Sequence, residues 1–202
     1  MNKSALFNIG YGLYVLTTKR NGKDNGCIVN TVMQITNTAP LYAVVAINKQ
    51  NYTHDVIMET KEFNVSVLTT ETPFDVFKHY GFRSGKDTDK FAGYDDVDRS
   101  KNGIVYLTKY ANAYLSFKVV DTDDYGSHTL FKAEITDSEV ISSSESVTYS
   151  YYQKYIKPKP QSEQESGYRC IICGYIHEGD HPPDECPLCG VGPEEFEEVV
   201  ED

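Results

Sequence analysis

No apolar run in this 202-residue chain approaches the roughly 18 residues that a membrane-crossing helix requires. Met1-Asn2-Lys3-Ser4 leads into no secretion pattern of charge, apolar block and small-residue cleavage site, so the expected location is the cytoplasm. No G-x-G-x-x-G follows a strand and opens a helix, and no Walker motif occurs; Gly10-Tyr11-Gly12 alone is too short to count. That excludes a recognisable nucleotide-binding Rossmann unit. No Ser/His/Asp or Cys/His arrangement suggests nucleophilic catalysis, no internal repeat is visible, and tryptophan is absent. Apolar residues still make up 40% of the chain, enough to bury a core.

Basic residues are scarce in one place only. Residues 161–202 hold a single base, Arg169, against 12 acids, whereas residues 1–160 hold 18 of each sign. The formal charge of −11 therefore resides in the last fifth of the chain. Such asymmetry predicts two separately built units. It argues against nucleic acid as a partner, because phosphate repels the acidic unit and the other has no basic cluster. Cysteine divides the same way: Cys27 stands alone, while Cys170, Cys173, Cys186 and Cys189 form C-x2-C-x12-C-x2-C. Paired C-x-x-C knuckles without a secretion signal read as a metal site before a disulfide framework.

A Pro-containing polar stretch after Ile156 predicts a linker over 157–167, between a first unit of 1–156 and a second of 168–202. The first unit reads as strands. Tyr11–Thr18 precedes a turn over Asn21–Gly26, and Cys27–Thr36 returns as the other arm of a long hairpin. Leu41–Asn48 reads as a strand buried on both faces, and Phe63–Leu68, Ala113–Val120, His128–Ile135 and Glu139–Ile141 as further strands. Thr53 is expected to cap a helix through Lys61, and Thr72-Pro73 to start another that Gly81 ends. About seven strands and two short helices predict a mainly β protein, a closed antiparallel barrel with helical insertions.

Four thiolates arranged tetrahedrally select zinc or iron, and the spacing alone fits both. Gly174 and Gly190 follow the second cysteine of each knuckle, where a missing Cβ lets the chain turn tightly and leaves N–H groups free to face sulfur. A closed four-sulfur shell offers no open coordination position, which limits it to structure or one-electron transfer. Tyr168–Tyr175, Gly179-Asp180, Pro183 and Cys186–Phe196 resemble rubredoxin, in the shortened form found in rubrerythrins. The resemblance implies that Cys170, Cys173, Cys186 and Cys189 hold one iron. A structural zinc ribbon is the alternative. His177 and His181 are expected at the surface, since four sulfurs complete the shell.

Asn8–Thr17, Asn25–Thr36, Pro40 and Val45–His54 resemble the flavin-reductase-like split barrels that bind FMN, flavoredoxins among them. The order of the two units is similar to that of the high-molecular-weight rubredoxins of anaerobic bacteria. This implies electron transfer between FMN and iron in a homodimer, from an NAD(P)H-dependent reductase to a flavodiiron protein that reduces oxygen or nitric oxide. It also implies that Asn30, Thr31, Val32 and Gln34 lie along the flavin ring and ribityl chain. Asn48, Lys49, Asn51 and Thr53 would hold the phosphate. Phe82 would lie near the ring, with Arg83 or Lys90 near the phosphate. Local physics agrees at one point: Lys49 brings charge and Thr53 a hydroxyl to a helix N-terminus, where free N–H groups favour an anion. A strand with one polar face explains Asn30 and Gln34 equally, and solvated loop cations explain Arg83, Lys86 and Lys90. Cys27 reads as a small core residue, and His54 and His79 as helix-end residues without a catalytic partner. The remaining alternatives are a free-standing flavin or ferric reductase and a zinc-ribbon binding module on a flavin barrel.

Overall fold

The computed structural model describes residues 5, 8–158, 167–171, 175–177, 179–187 and 191–199. It divides into two compact units, Met1–Lys157 and Pro158–Asp202. No described helix is long and apolar enough to cross a membrane.

The first unit opens with the hairpin β1 (Tyr14–Arg20) and β2 (Lys23–Val29). Its turn is Asn21-Gly22 alone, with φ of 52° and 79°. Left-handed backbone at both positions matches the right-handed twist of the flanking strands. Lys23–Gly26, expected in the turn, therefore pair with Thr17–Arg20 as strand. The expected single strand Cys27–Thr36 is broken at Asn30-Thr31, after which β3 (Val32–Gln34) begins. The break has a topological cause. With β4 (Tyr42–Asn48), β5 (Glu62–Leu68), β8 (Ala111–Asp124) and β9 (His128–Val140), the strands form one antiparallel sheet ordered β2-β1-β5-β8-β9-β4-β3. β2 and β3 are its opposite edges, yet two residues join them. The sheet must curl until its edges meet without pairing, which is a split barrel.

β4 alternates rather than being buried on both faces. Ala43, Val45 and Ile47 face the core, while Val44 and Ala46 are half-covered. β8 and β9 run longer than expected, and β9 absorbs Glu139-Val140. Register shifts at Ser116/Phe117 and Val119/Asp121 let the long ladder bend with the barrel, and its polar far end lacks the apolar alternation that marks a strand. The hairpin β6 (Val97–Arg99) and β7 (Val105–Leu107) carries too little pattern to be foreseen. It is held by buried Asn64, whose Nδ2 donates to Ser100 Oγ (2.8 Å) and the Ile104 carbonyl (2.9 Å).

α1 (Tyr52–Thr60) starts at Asn51, and Thr53 lies inside its first turn instead of capping it. α2 (Phe74–Gly81) follows Pro73, while the Thr72 hydroxyl donates to the Tyr110 carbonyl. A short helical segment over Tyr149–Ile156, also unforeseen, lays Tyr152 against Phe77 with ring centroids 4.6 Å apart. Two apolar clusters result. One fills the barrel, where Phe63 stacks on Phe117 at 4.9 Å beside Val45, Ile47 and Phe131. The other seals α2 against Leu13, Val15, Leu68 and Leu107.

In the second unit β10 (Gly167–Cys170) lies between β11 (Ile176–His177) and β12 (Phe196–Val199). β10 delivers Cys170 opposite Phe196, and the Ile171 N–H donates 2.8 Å to the Glu195 carbonyl.

Candidate functional site

In the second unit Cys170 and Cys186, each the first cysteine of a knuckle, are buried at 0% and 2% exposure. Their turns close identically. The Cys170 N–H donates to the Tyr175 carbonyl and the Cys186 N–H to the Val191 carbonyl, each five residues on and each at 2.8 Å. Two buried soft donors on matching turns fit a thiolate-bound ion. Cys173 and Cys189 lie outside the described residues, as do Gly174 and Gly190.

In the first unit three stretches converge on the start of β2. Asn25 Nδ2 donates 3.0 Å to Thr53 Oγ1 in the first turn of α1. Lys90 Nζ, on a side chain exposed by only 3%, donates to the carbonyls of Gly26 (2.8 Å) and Tyr80 (2.9 Å). Gly85, in the loop between α2 and Lys90, packs so closely that an added Cβ would meet Asn25 Oδ1 at 1.8 Å. Burial pushes the Lys90 ammonium down from its ordinary pKa; Cys27 opposes this and the Arg83 charge adds to it. Cys27 is a buried thiol pushed up by burial. Among the described residues no carboxylate pairs with Arg83 or Lys90. Lys90 thus carries its charge into the fold on two backbone carbonyls, with the exposed Arg83 close enough to act on it electrostatically.

The other expected contacts lie in and just before β3, from the end of β4 to the start of α1, and after α2. Asn30 and Thr31 sit at the break between the sheet edges, with Thr31 Oγ1 donating to Asn30 Oδ1 at 3.1 Å. Val32 packs half-buried against the barrel core. Gln34 is exposed and bonded to the Thr36 carbonyl at 2.7 Å. Asn48 Oδ1 accepts from the Gln50 N–H (2.9 Å), and Asn51 caps α1 without a side-chain bond. Lys49 Nζ grips both oxygens of Asp124 at 2.6 and 2.5 Å. Phe82 meets Phe74 edge-on at 6.0 Å, and Arg83 is exposed. Lys90 is not a solvated loop lysine but a buried tie. The sequence reading assigned no tie to Asn25 or Gly85, which join these stretches. Between Arg20 and Cys27 lie two Asn-Gly pairs, 21–22 and 25–26, and only one can be the turn of that hairpin; the other was the available signal.

Residues 6–158 match the family model of the flavin reductase like domain, and residues 168–197 that of the rubrerythrin, rubredoxin-like domain. The high molecular weight rubredoxin of Moorella thermoacetica is 35% identical over 98% of this chain and 100% of that protein. The chain belongs to the high-molecular-weight rubredoxin family. Members pair a flavin-reductase-like unit with a rubredoxin-like one, and this member is accordingly an oxidoreductase with FMN and iron as cofactors. The ferric-chelate reductase (NAD(P)H) of Archaeoglobus fulgidus is 40% identical over 79% of this family member and 93% of its own length. Among solved structures, an FMN-binding protein from Thermus thermophilus shares the fold, with a TM-score of 0.59 at 19% identity, covering 66% of this chain and 73% of the other.

Proposed function

We propose that this high-molecular-weight rubredoxin relays electrons from an NAD(P)H-linked reductase to a flavodiiron protein that reduces oxygen or nitric oxide. One observation carries the reading: a single chain joins a flavin-reductase-like unit to a four-cysteine iron unit. Bound FMN exchanges one or two electrons and the iron exchanges one, so the pair can convert hydride equivalents into single electrons. The split barrel over 1–156 holds the flavin, 157–167 is the tether and 168–202 the iron domain.

The residues divide the work. Asn30, Thr31 and Val32, at the open seam, line the ring and ribityl chain. The first turn of α1, with Thr53, and the exposed Arg83 take the phosphate, while buried Lys90 lends charge from behind. Cys170, Cys173, Cys186 and Cys189 hold the iron. A second copy of the chain covers Met33, Ile35 and Leu41, large apolar side chains exposed by 61%, 49% and 36% at the β3 edge. The acidic second unit steers basic partners, so electron transfer to them slows as salt rises.

The test is a visible spectrum before and after dithionite, with metal analysis. Flavin and ferric bands that both bleach, with one iron per chain, support the relay. Zinc alone, or a chromophore that ignores the reductant, ends it. The 40% identity of the first unit to a ferric-chelate reductase favours a second reading, a free-standing flavin or ferric reductase. That reading requires rapid NADH oxidation with no partner protein present.

A further inference from the structure

Two consecutive residues of α2 grip both ends of Lys90. The Tyr80 carbonyl accepts from its ammonium at 2.9 Å, and His79 Nε2 contacts its carbonyl oxygen at 2.6 Å. A carbonyl only accepts, so Nε2 carries the proton in this contact. The imidazole is set between two rings, edge-on to Tyr80 at 4.7 Å and stacked on Tyr94 at 5.5 Å, which fixes the direction of that N–H. Residues 82–89 thus form a loop closed at its neck by His79, Tyr80 and Lys90. Outward it presents Arg83 and Lys86, both exposed. Inward it places Gly85 under Asn25, whose amide reaches Thr53 in the first turn of α1.

We propose that His79 is a positioning residue for the FMN phosphate, holding the neck of the loop so that Arg83 faces the first turn of α1. The proposal rests on the reading that the first unit binds FMN there. His79 itself touches no ligand. Without its N–H the Lys90 carbonyl loses its side-chain partner and the loop retains only the ammonium tie. Arg83 then samples positions away from the phosphate, while the ring site at the seam is unaffected.

The test uses the full chain, freed of flavin and titrated by fluorescence quenching with FMN and with riboflavin, which lacks the phosphate. His79→Phe keeps a ring between Tyr80 and Tyr94 but removes the donor; His79→Gln keeps a donor at the same reach. We expect His79→Phe to bind FMN about tenfold more weakly, the worth of one hydrogen bond, with riboflavin affinity unchanged. His79→Gln restores most of the loss. Gly85→Ala, which forces the loop off Asn25, should show the same FMN-selective loss. Equal losses for both flavins, or no loss in His79→Phe, overturn the proposal. Wild-type chain that binds FMN no better than riboflavin overturns the phosphate site itself, and is recognised before any variant is made.

Discussion

The first unit buries Phe63, Phe117 and Phe131 to 1% exposure or less, within two apolar clusters that together span the barrel and α2. In the second unit the buried apolar side chains among the described residues are those of Cys170 and Cys186. A small unit with so little apolar interior must obtain its stability from ligation. It can also carry the chain's entire excess of acid, because its cohesion does not come from surface complementarity. The same contrast separates the chemistry. The larger unit is flavin-reductase-like and the smaller one rubredoxin-like, so the organic cofactor and the iron fall to different units.

The largest test of this contrast removes a sulfur. Cys186→Ser should abolish the ferric absorption and unfold the second unit, since thiolate ligation of this kind is worth about 10–16 kcal/mol, more than a small domain's whole stability. The first unit should keep its melting transition in calorimetry; a shift of that transition would make the two units interdependent. In the opposite direction, Phe117→Ala should cost the first unit about 3–5 kcal/mol through the cavity left against Phe63. The iron spectrum should be unchanged.

A smaller loss is expected from Asn64→Ala, which strands Asn102 Nδ2 and takes one donor from the Ile104 carbonyl, to which the Ser100 N–H still donates. Urea unfolding should register about 1–3 kcal/mol, because buried polar groups lose their partners. The smallest effect is on the alkaline limb. Burial, aided by the hydrogen bond to Asp137, pushes Tyr114 up from 10.0 to about 12. Above pH 10 the unfolded chain releases this proton before the folded one does, so stability is intact below about 10 and declines from there to about 12. Tyr114→Phe should flatten that decline in melting temperature. An unchanged slope would place the ionisation elsewhere.

The rubredoxin-like character of the second unit was legible because C-x2-C-x12-C-x2-C is chemistry written in local spacing. The β character was legible because Val, Ile, Phe and Tyr alternate along β1, β4 and β5. What escaped depends on contacts distant in sequence. Nothing local marks the Asn30-Thr31 break, which follows from the two sheet edges having to meet. The ion pair of Lys49 with Asp124, 75 residues away, is invisible from its neighbourhood. Lys90 looked like a solvated loop cation, since its burial depends on carbonyls from β2 and α2. His79 looked idle because its partner is a backbone oxygen, and backbone acceptors leave no trace in side-chain patterns.

The Asn30-Thr31 seam limits how far the barrel can gape. Three virtual bonds of 3.80 Å link the Cα atoms of Val29 and Val32, so the rims at that point stay within about 11 Å however they fluctuate. A hydrogen-bonded closure could unzip and widen under an entering guest; a covalent hinge this short cannot. The aperture is therefore a constant of chain connectivity, and an inserted residue at position 30 or 31 would be the direct way to enlarge it.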